Sequence, residues 1–328
     1  MLTDERTTPT RTGAAPATGT VRVEAKEQVA ERVVALTLAR PDGGRLPDWQ
    51  PGAHVDLVLP DGTVRQYSLC GDRFDPARYR VGVLREPAGR GGSRYVHDDL
   101  RVGELLGVGG PRNDFPMVPA QRYLFLAGGI GITPLLPMVS QAELIGADWT
   151  LVYGGRSRTS MAFVDDLAGH GDRVHLVPED ENGRLDLAAW LDDPRPDVAV
   201  YCCGPPGLLD AVVARCRSWP PYSLHTERFV ARARSAPARS VPFEVEAARS
   251  GVIVTVTADV SVLDALRAAG VDLLSSCRQG TCGTCEAVVL EGVPDHRDSI
   301  FDDRRRGPDD PLYPCVSRSC TDRLVLDL

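Results

Sequence analysis

The chain has 328 residues, room for two or three domains at roughly 100–200 residues each. Its 43% apolar content is that of a globular protein, and no run approaches the ~18 apolar residues of a membrane span. A net charge of −8 with no basic module gives no sign of a nucleic-acid partner.

Residues 1–19 (MLTDERTTPTRTGAAPATG) contain no apolar core of a secretory signal and read as a disordered tail. The protein is therefore expected in the cytoplasm. Thiols stay reduced there, so the nine cysteines read as metal-binding, catalytic or buried rather than as disulfides.

Between residues 20 and 118, RVVALTLARP, AHVDLVLP, VRQYSLCG and YRVGVLRE are strand-like runs with turn signals between them. They predict an antiparallel β-barrel. Gly89-Arg90-Gly91-Gly92-Ser93 is a glycine-rich turn whose amides and Ser93 hydroxyl suit a phosphate.

Residues 119–229 begin with RYLFLAGGIGITPLLPMVSQ, which reads as strand, glycine turn, helix. Gly128, Gly129 and Gly131 permit close backbone approach. Thr133 is expected to N-cap a helix starting at Pro134, whose amides would face a pyrophosphate. The turn departs from G-x-G-x-x-G at Pro134, and many such turns bind nothing. TLVYGG, RVHLVPE, DVAVYCCGP and SLHTERF alternate with helix-like stretches, as in an α/β parallel sheet. Ligands of such sheets bind beyond the carboxyl ends of the strands, where Cys203-Gly204-Pro205-Pro206-Gly207 falls. Cys202 and Cys216 read as core residues. Arg156 and Arg158 follow the second strand without an adjacent carboxylate, which by chemistry alone leans to NADPH.

A polar linker (230–241) leads to residues 242–328, an α+β unit of the β-grasp kind. VPFEVEAARSGVIVTVTADV alternates on either side of a Ser250-Gly251 hairpin, and SVLDALRAAGVD is a helix capped by Ser261 and ended by Gly270. The spacing Cys277-x4-Cys282-x2-Cys285-x29-Cys315 is the plant-type ligand pattern of a [2Fe–2S] cluster. A four-thiolate zinc site is the alternative, although Cys315 lacks the second knuckle usual there. Cys320 is an alternative fourth ligand. This unit holds nine Arg against fifteen Asp and Glu, so it carries −6 of the total. Such a surface suits a basic docking face on a partner, or is merely solvated. A hydride carries two electrons and a [2Fe–2S] cluster accepts one, so a flavin between them is expected.

These motifs, in this order, carry a resemblance. Residues 242–328 resemble a plant-type ferredoxin. Residues 119–229 resemble the nucleotide domain of the ferredoxin–NADP reductase superfamily, and Arg65-Gln66-Tyr67-Ser68 matches its R-x-Y-S flavin motif. The whole resembles the phthalate dioxygenase reductase family, including vanillate demethylase reductase components. The resemblance implies FMN, NADH in preference to NADPH, one cluster, and a separate terminal oxygenase as electron acceptor. That acceptor is expected to be Rieske-type, with a haem-thiolate monooxygenase as the alternative. It implies that Arg65, Gly91, Gly92 and Ser93 hold the flavin phosphate, Tyr67 lies on the isoalloxazine, and Ser68 lies near N5. Phe229 would cover the other flavin face, or serve only as an interdomain core residue. Glu227 would lie near the hydride path. Gly128, Gly129, Gly131, Thr133 and Arg156 would hold the dinucleotide, with Cys203, Gly204 and Pro205 near the nicotinamide. The protein is expected to be a monomer. A redox-sensing binding protein is the reading from a different class, and it would need an effector segment that the sequence does not show.

Overall fold

The computed structural model describes residues 19–87, 89–232, 234, 236–300 and 310–328. The expected tail therefore lies outside the described residues, apart from Gly19, which begins the first strand. Strands β1 (Gly19–Ala30), β2 (Val33–Ala39), β3 (His54–Val58), β4 (Val64–Ser68), β5 (Arg78–Leu84) and β6 (Leu105–Arg112) form one antiparallel sheet in the order β4-β3-β6-β1-β2-β5. A bridge between Leu69 and Val81, with the Cys70 amide donating to the Arg80 carbonyl at 2.9 Å, joins the two edges and closes the barrel. Closure leaves no unpaired edge. Val21, Val23, Leu36, Leu38, Val55 and Leu57 fill its interior.

β2 is apolar on both faces, and the structure shows why. Val34, Leu36 and Leu38 point into the barrel, while Val33 and Ala35 join the core of the next unit. That unit is a parallel sheet of β7 (Arg122–Gly128), β8 (Asp148–Gly155), β9 (Val174–Pro178), β10 (Val198–Cys203) and β11 (Leu224–Glu227), in the order β11-β10-β7-β8-β9. One face packs Phe125, Tyr153 and Tyr201 against Phe115 and Met138. The other packs Leu124, Val200 and Cys202 against the helices Leu187–Leu191 and Pro206–Arg215. Cys202 and Cys203 thus enter opposite cores, as adjacent strand residues must. Cys216 lies in the same core as Cys202, as expected.

The sheet reverses direction of winding between β7 and β10, the switch point where such folds open a crevice. The two turns there touch backbone to backbone. A Cβ on Gly131 would lie 2.2 Å from the Cys203 carbonyl oxygen, and one on Gly204 would lie 3.0 Å from Gly128 Cα. Thr133 does not cap the following helix. The chain already turns as a 3₁₀ helix at Gly129–Ile132, so Thr133 has helical dihedrals and its hydroxyl donates to the Ile130 carbonyl at 3.0 Å. The helix Leu135–Leu144 follows with no side-chain cap.

The last unit is a sheet of β12 (Phe243–Ala247), β13 (Val252–Val256), β14 (Val289–Glu291) and β17 (Arg323–Leu326) in the order β13-β12-β17-β14, beside a two-stranded β15 (Pro294–Asp295) and β16 (Arg318–Ser319). β12 and β13 form the expected hairpin, and Ser261 caps the helix Val262–Ala268 by accepting from the Asp264 amide. The connecting segment differs from a free tether. The Arg232 amide donates to Ser299, the Ala238 amide donates to Asp295, and Arg239 pairs with Asp322.

The backbone contact at Gly131 yields the first prediction. Gly131→Ala must push the β7 and β10 turns apart, and it is expected to destabilise the protein by about 1–3 kcal/mol. Thermal or denaturant unfolding checks this.

Candidate redox site

One cleft of about 1150 Å³ runs across the three units. The barrel contributes His54, Arg65, Tyr67 and Ser68 from β3 and β4, the parallel sheet contributes Gly128–Gly131 and Gly204–Gly207, and the cysteine loop contributes Thr281. Every sequence-predicted position of the barrel and the parallel sheet lines this cleft except Gly91, Arg158 and Cys203. Gly91 is the residue before the helix Gly92–Asp98, and Cys203 is buried directly under the turn.

At one end, Arg65 lies over Gly92, where a Cβ would come within 2.6 Å of its Nε. The Arg65 guanidinium donates to the Val64 and Arg90 carbonyls and makes no ion pair among the described residues. Ser93 Oγ accepts from the Glu86 amide at 3.1 Å, which leaves its own proton to donate. An arginine without a carboxylate, beside glycines with open amides, fits a phosphate. Tyr67 is pushed up to about 12 by burial and stays a neutral phenol. Phe229, a ring 42% exposed, lines the cleft near Glu227. An exposed aromatic and a tyrosine-bearing strand that line the same cleft suit a flat ring system.

At the nucleotide end, the glycine turns face the crevice and Arg156 and Arg184 stand exposed at its rim. Arg158 does not line the cleft; it faces Glu181 at 3.9 Å. Cys203 Sγ donates to Glu227 Oε2 at 3.8 Å, and burial holds the thiol well above its usual range. Glu227 is pushed up to about 8 by burial and by the nearby Asp114 carboxylate, against the opposing effect of the Cys203 thiol.

In the cysteine loop, Cys277 lies within hydrogen-bonding reach of Cys282 and Cys315, and Cys285 within reach of Cys315. Those bonds, with the Thr281 side chain and the Gln279 amide at 3.3 Å from Cys277 Sγ, hold Cys277 well below the usual thiol range against the opposing effect of burial. Among the described residues no three His, Cys, Asp or Glu converge on a single ion position. A two-iron centre does not require it, since it takes two thiolates per iron. Cys282, Cys285 and Cys315 are buried, whereas Cys320 is exposed with its Sγ against the Pro294 carbonyl. Of the two candidates, Cys315 is the one within hydrogen-bonding reach of Cys277 and Cys285.

Sequence reasoning passed over the residues joining these ends. His54 and Asp56 alternate with core residues on β3, a pattern that reads as a solvated strand face, yet both are buried. Arg112 ends β6 half-buried, and Asp114, two residues on, is exposed with Gly283 of the cysteine loop against its carboxylate. Burial and Arg112 push His54 down to about 4, so it is a neutral imidazole. Asp114 is pushed up to about 6 by burial.

A family model for the 2Fe-2S iron-sulfur cluster binding domain matches residues 245–320. Over 310 residues the chain is 46% identical to the phenoxybenzoate dioxygenase subunit beta of Ectopseudomonas oleovorans, covering 94% of this chain and 97% of that one. It superposes on a phthalate dioxygenase reductase at 36% identity and a TM-score of 0.69, covering 94% and 97% of the two chains. It also superposes on an intact type IV self-sufficient cytochrome P450 monooxygenase at 42% identity and a TM-score of 0.90, spanning 98% of this chain but only 43% of that one. Fold and site together define a pyridine-nucleotide-dependent flavin and iron–sulfur oxidoreductase that carries electrons. The chain belongs to the phthalate dioxygenase reductase family, whose members are reductase components of oxygenase systems.

The raised carboxyl at Glu227 gives a pH dependence. A folded-state value near 8, against an ordinary 4.5, means that the folded protein holds a proton the unfolded chain releases. Stability contributed there is complete below about 4.5 and is lost as pH rises through about 8. Glu227→Gln is expected to remove on the order of 1 kcal/mol of this decline between pH 5.5 and 8. Unfolding of both proteins across that range measures it.

Proposed function

We propose that this protein is the NADH-dependent reductase component of an oxygenase system, with a barrel (20–118) for FMN, a nucleotide domain (119–229) and a ferredoxin domain (242–328). The observation that carries this reading is the single cleft, lined at once by the R-x-Y-S strand, both glycine turns and Thr281 of the cysteine loop. When bound, NADH supplies a hydride, FMN takes its two electrons and releases them singly, and the [2Fe–2S] cluster passes each to a partner.

The chain's own residues bind and orient. Arg65 anchors the flavin phosphate, with Gly91, Gly92 and Ser93 offering donors around it. Tyr67 and Phe229 would enclose the isoalloxazine, and Ser68 would offer its hydroxyl to the ring edge. The turns at Gly128, Gly129 and Gly131, with Thr133 behind them, leave backbone space for the dinucleotide, and Arg156 takes charge at its adenosine end. Cys203 is a neutral thiol under the Gly204-Pro205 turn, and Glu227 holds a proton beside it, so neither adds negative charge next to the nicotinamide. No side chain acts as a nucleophile. Cys277, Cys282, Cys285 and Cys315 hold the cluster.

The acceptor is a separate terminal oxygenase of the Rieske type. The acidic ferredoxin surface supports this reading, because it suits a partner with a basic face. Among the described residues no helix is long and apolar enough to cross a membrane.

Cys282→Ser is expected to abolish the cluster, seen as loss of its visible absorption and of iron, while NADH still bleaches the flavin at close to the wild-type rate. Loss of flavin reduction along with the cluster would overturn the assignment of separate sites. Arg65→Ala is expected to weaken FMN binding by about 10- to 100-fold, the loss of charge-assisted hydrogen bonds worth about 1.5–3 kcal/mol. Titration of apoprotein with FMN by fluorescence quenching measures it.

A further inference from the structure

Asp56 sits on β3, directly beside the cleft, with only 1% of its side chain exposed. Its two oxygens serve different parts of the chain. Oδ2 accepts from Arg112 Nη2 at 2.7 Å, within the barrel. Oδ1 accepts from Ser276 Oγ at 2.9 Å, and Ser276 immediately precedes the ligand Cys277. A second contact lies seven residues along the same loop, where a Cβ on Gly283 would come within 2.9 Å of both Asp114 carboxylate oxygens. The loop is therefore bonded to the barrel at Ser276 and lies close against it at Gly283, on either side of Cys277 and Cys282. In the linker, the Arg232 and Ala238 amides and the Arg239 guanidinium bond to Ser299, Asp295 and Asp322 on the ferredoxin side. On the same face of β3, two residues from Asp56, His54 lines the cleft. One short strand thus forms the flavin-side wall with His54 and grips the cluster loop with Asp56.

We propose that Asp56 is a positioning residue that fixes the cluster loop against the flavin-binding barrel through Ser276, and so sets the separation across which each single electron passes. The inference rests on the function proposed above. In that step one electron leaves the reduced flavin and lowers one iron of the cluster from ferric to ferrous. Asp56 touches neither centre; it acts through the loop. A hydrogen bond to an ionised, buried carboxylate is stronger than one between neutral groups, so the contact constrains the loop.

The test uses the holoprotein and the variants Ser276→Ala, Ser276→Thr, Asp56→Asn and Gly283→Ala. Ser276→Ala and Asp56→Asn are expected to keep wild-type flavin and iron content. Amide hydrogen exchange in the 276–283 loop should rise at least tenfold, and after anaerobic mixing with NADH the cluster should bleach at least tenfold more slowly while flavin bleaching keeps its rate. Ser276→Thr retains the hydroxyl and should restore both measures. Gly283→Ala should reproduce the slow cluster phase by wedging the loop from Asp114. Should Asp56→Asn not fold, Ser276→Ala decides alone, since it leaves the Asp56–Arg112 pair in place. Wild-type exchange and wild-type cluster bleaching in Ser276→Ala would overturn the proposal. A wild-type protein without flavin or iron would instead overturn the proposed function, and loop exchange would still report the Asp56–Ser276 contact.

Discussion

A carboxylate taken out of water has to be matched by donors on more than one side, and Asp56 meets that demand only when two units of the chain are docked. Removing one partner of such a buried charge costs about 3–5 kcal/mol. The rest of the site follows from this requirement. Beside this contact, Thr281 of the cysteine loop reaches the cleft, Gly283 lies against the Asp114 carboxylate, and Glu227 of the nucleotide sheet lies near Asp114. The three units are then continuous at the point where their ligands would meet. The Arg80–Asp166 ion pair at 2.6 Å, with Arg80 over the Phe163 ring, ties the barrel to the nucleotide unit at a second place.

The open side of the cleft has a different origin. The turns after β7 and β10 lie in backbone contact, and their missing side chains let the carboxyl ends of the two strands come together while leaving the crevice above them empty. Gly128, Gly131 and Gly204 serve first as packing residues, and the space for a ligand is a consequence of that packing. Gly129 differs, since it adopts a positive φ and a side chain there would meet nothing within 4 Å. It is the one glycine of the turn whose backbone faces only the cleft.

Much of this was legible in the sequence, for local reasons. The cysteine spacing, the Ser261 cap, the Ser250-Gly251 hairpin and the alternation of strands with helices are all set by residues close in the chain, and the relatives bear out the fold and the cofactor class. What escaped depends on docking. His54 and Asp56 alternate with Val55 and Leu57, the pattern of a strand with one wet face, and nothing nearby reveals that another unit covers that face. Residue Ser276 lies 220 positions from Asp56. Thr133 misled for a more local reason: a Thr-Pro pair after glycines reads as a helix start, but the 3₁₀ turn had already begun at Gly129. β2 looked like an ordinary barrel strand, and its second apolar face was explained only by the neighbouring sheet.

The charge balance of the cleft ties these observations together. The flavin phosphate, the dinucleotide and a cluster with four thiolates are all anionic, and the chain itself carries −8. Ligands of that sign would be repelled by an average patch of this surface. The cleft is not an average patch: its lining holds Arg32, Arg65, Arg90, Arg156, Arg184 and Arg228 against four glutamates. One of those four, Glu227, is kept largely protonated by burial, and Asp114 behind it is shifted in the same direction. The one glutamate of the lining that burial neutralises therefore leaves the cleft still more basic at the place where the anionic ligands gather.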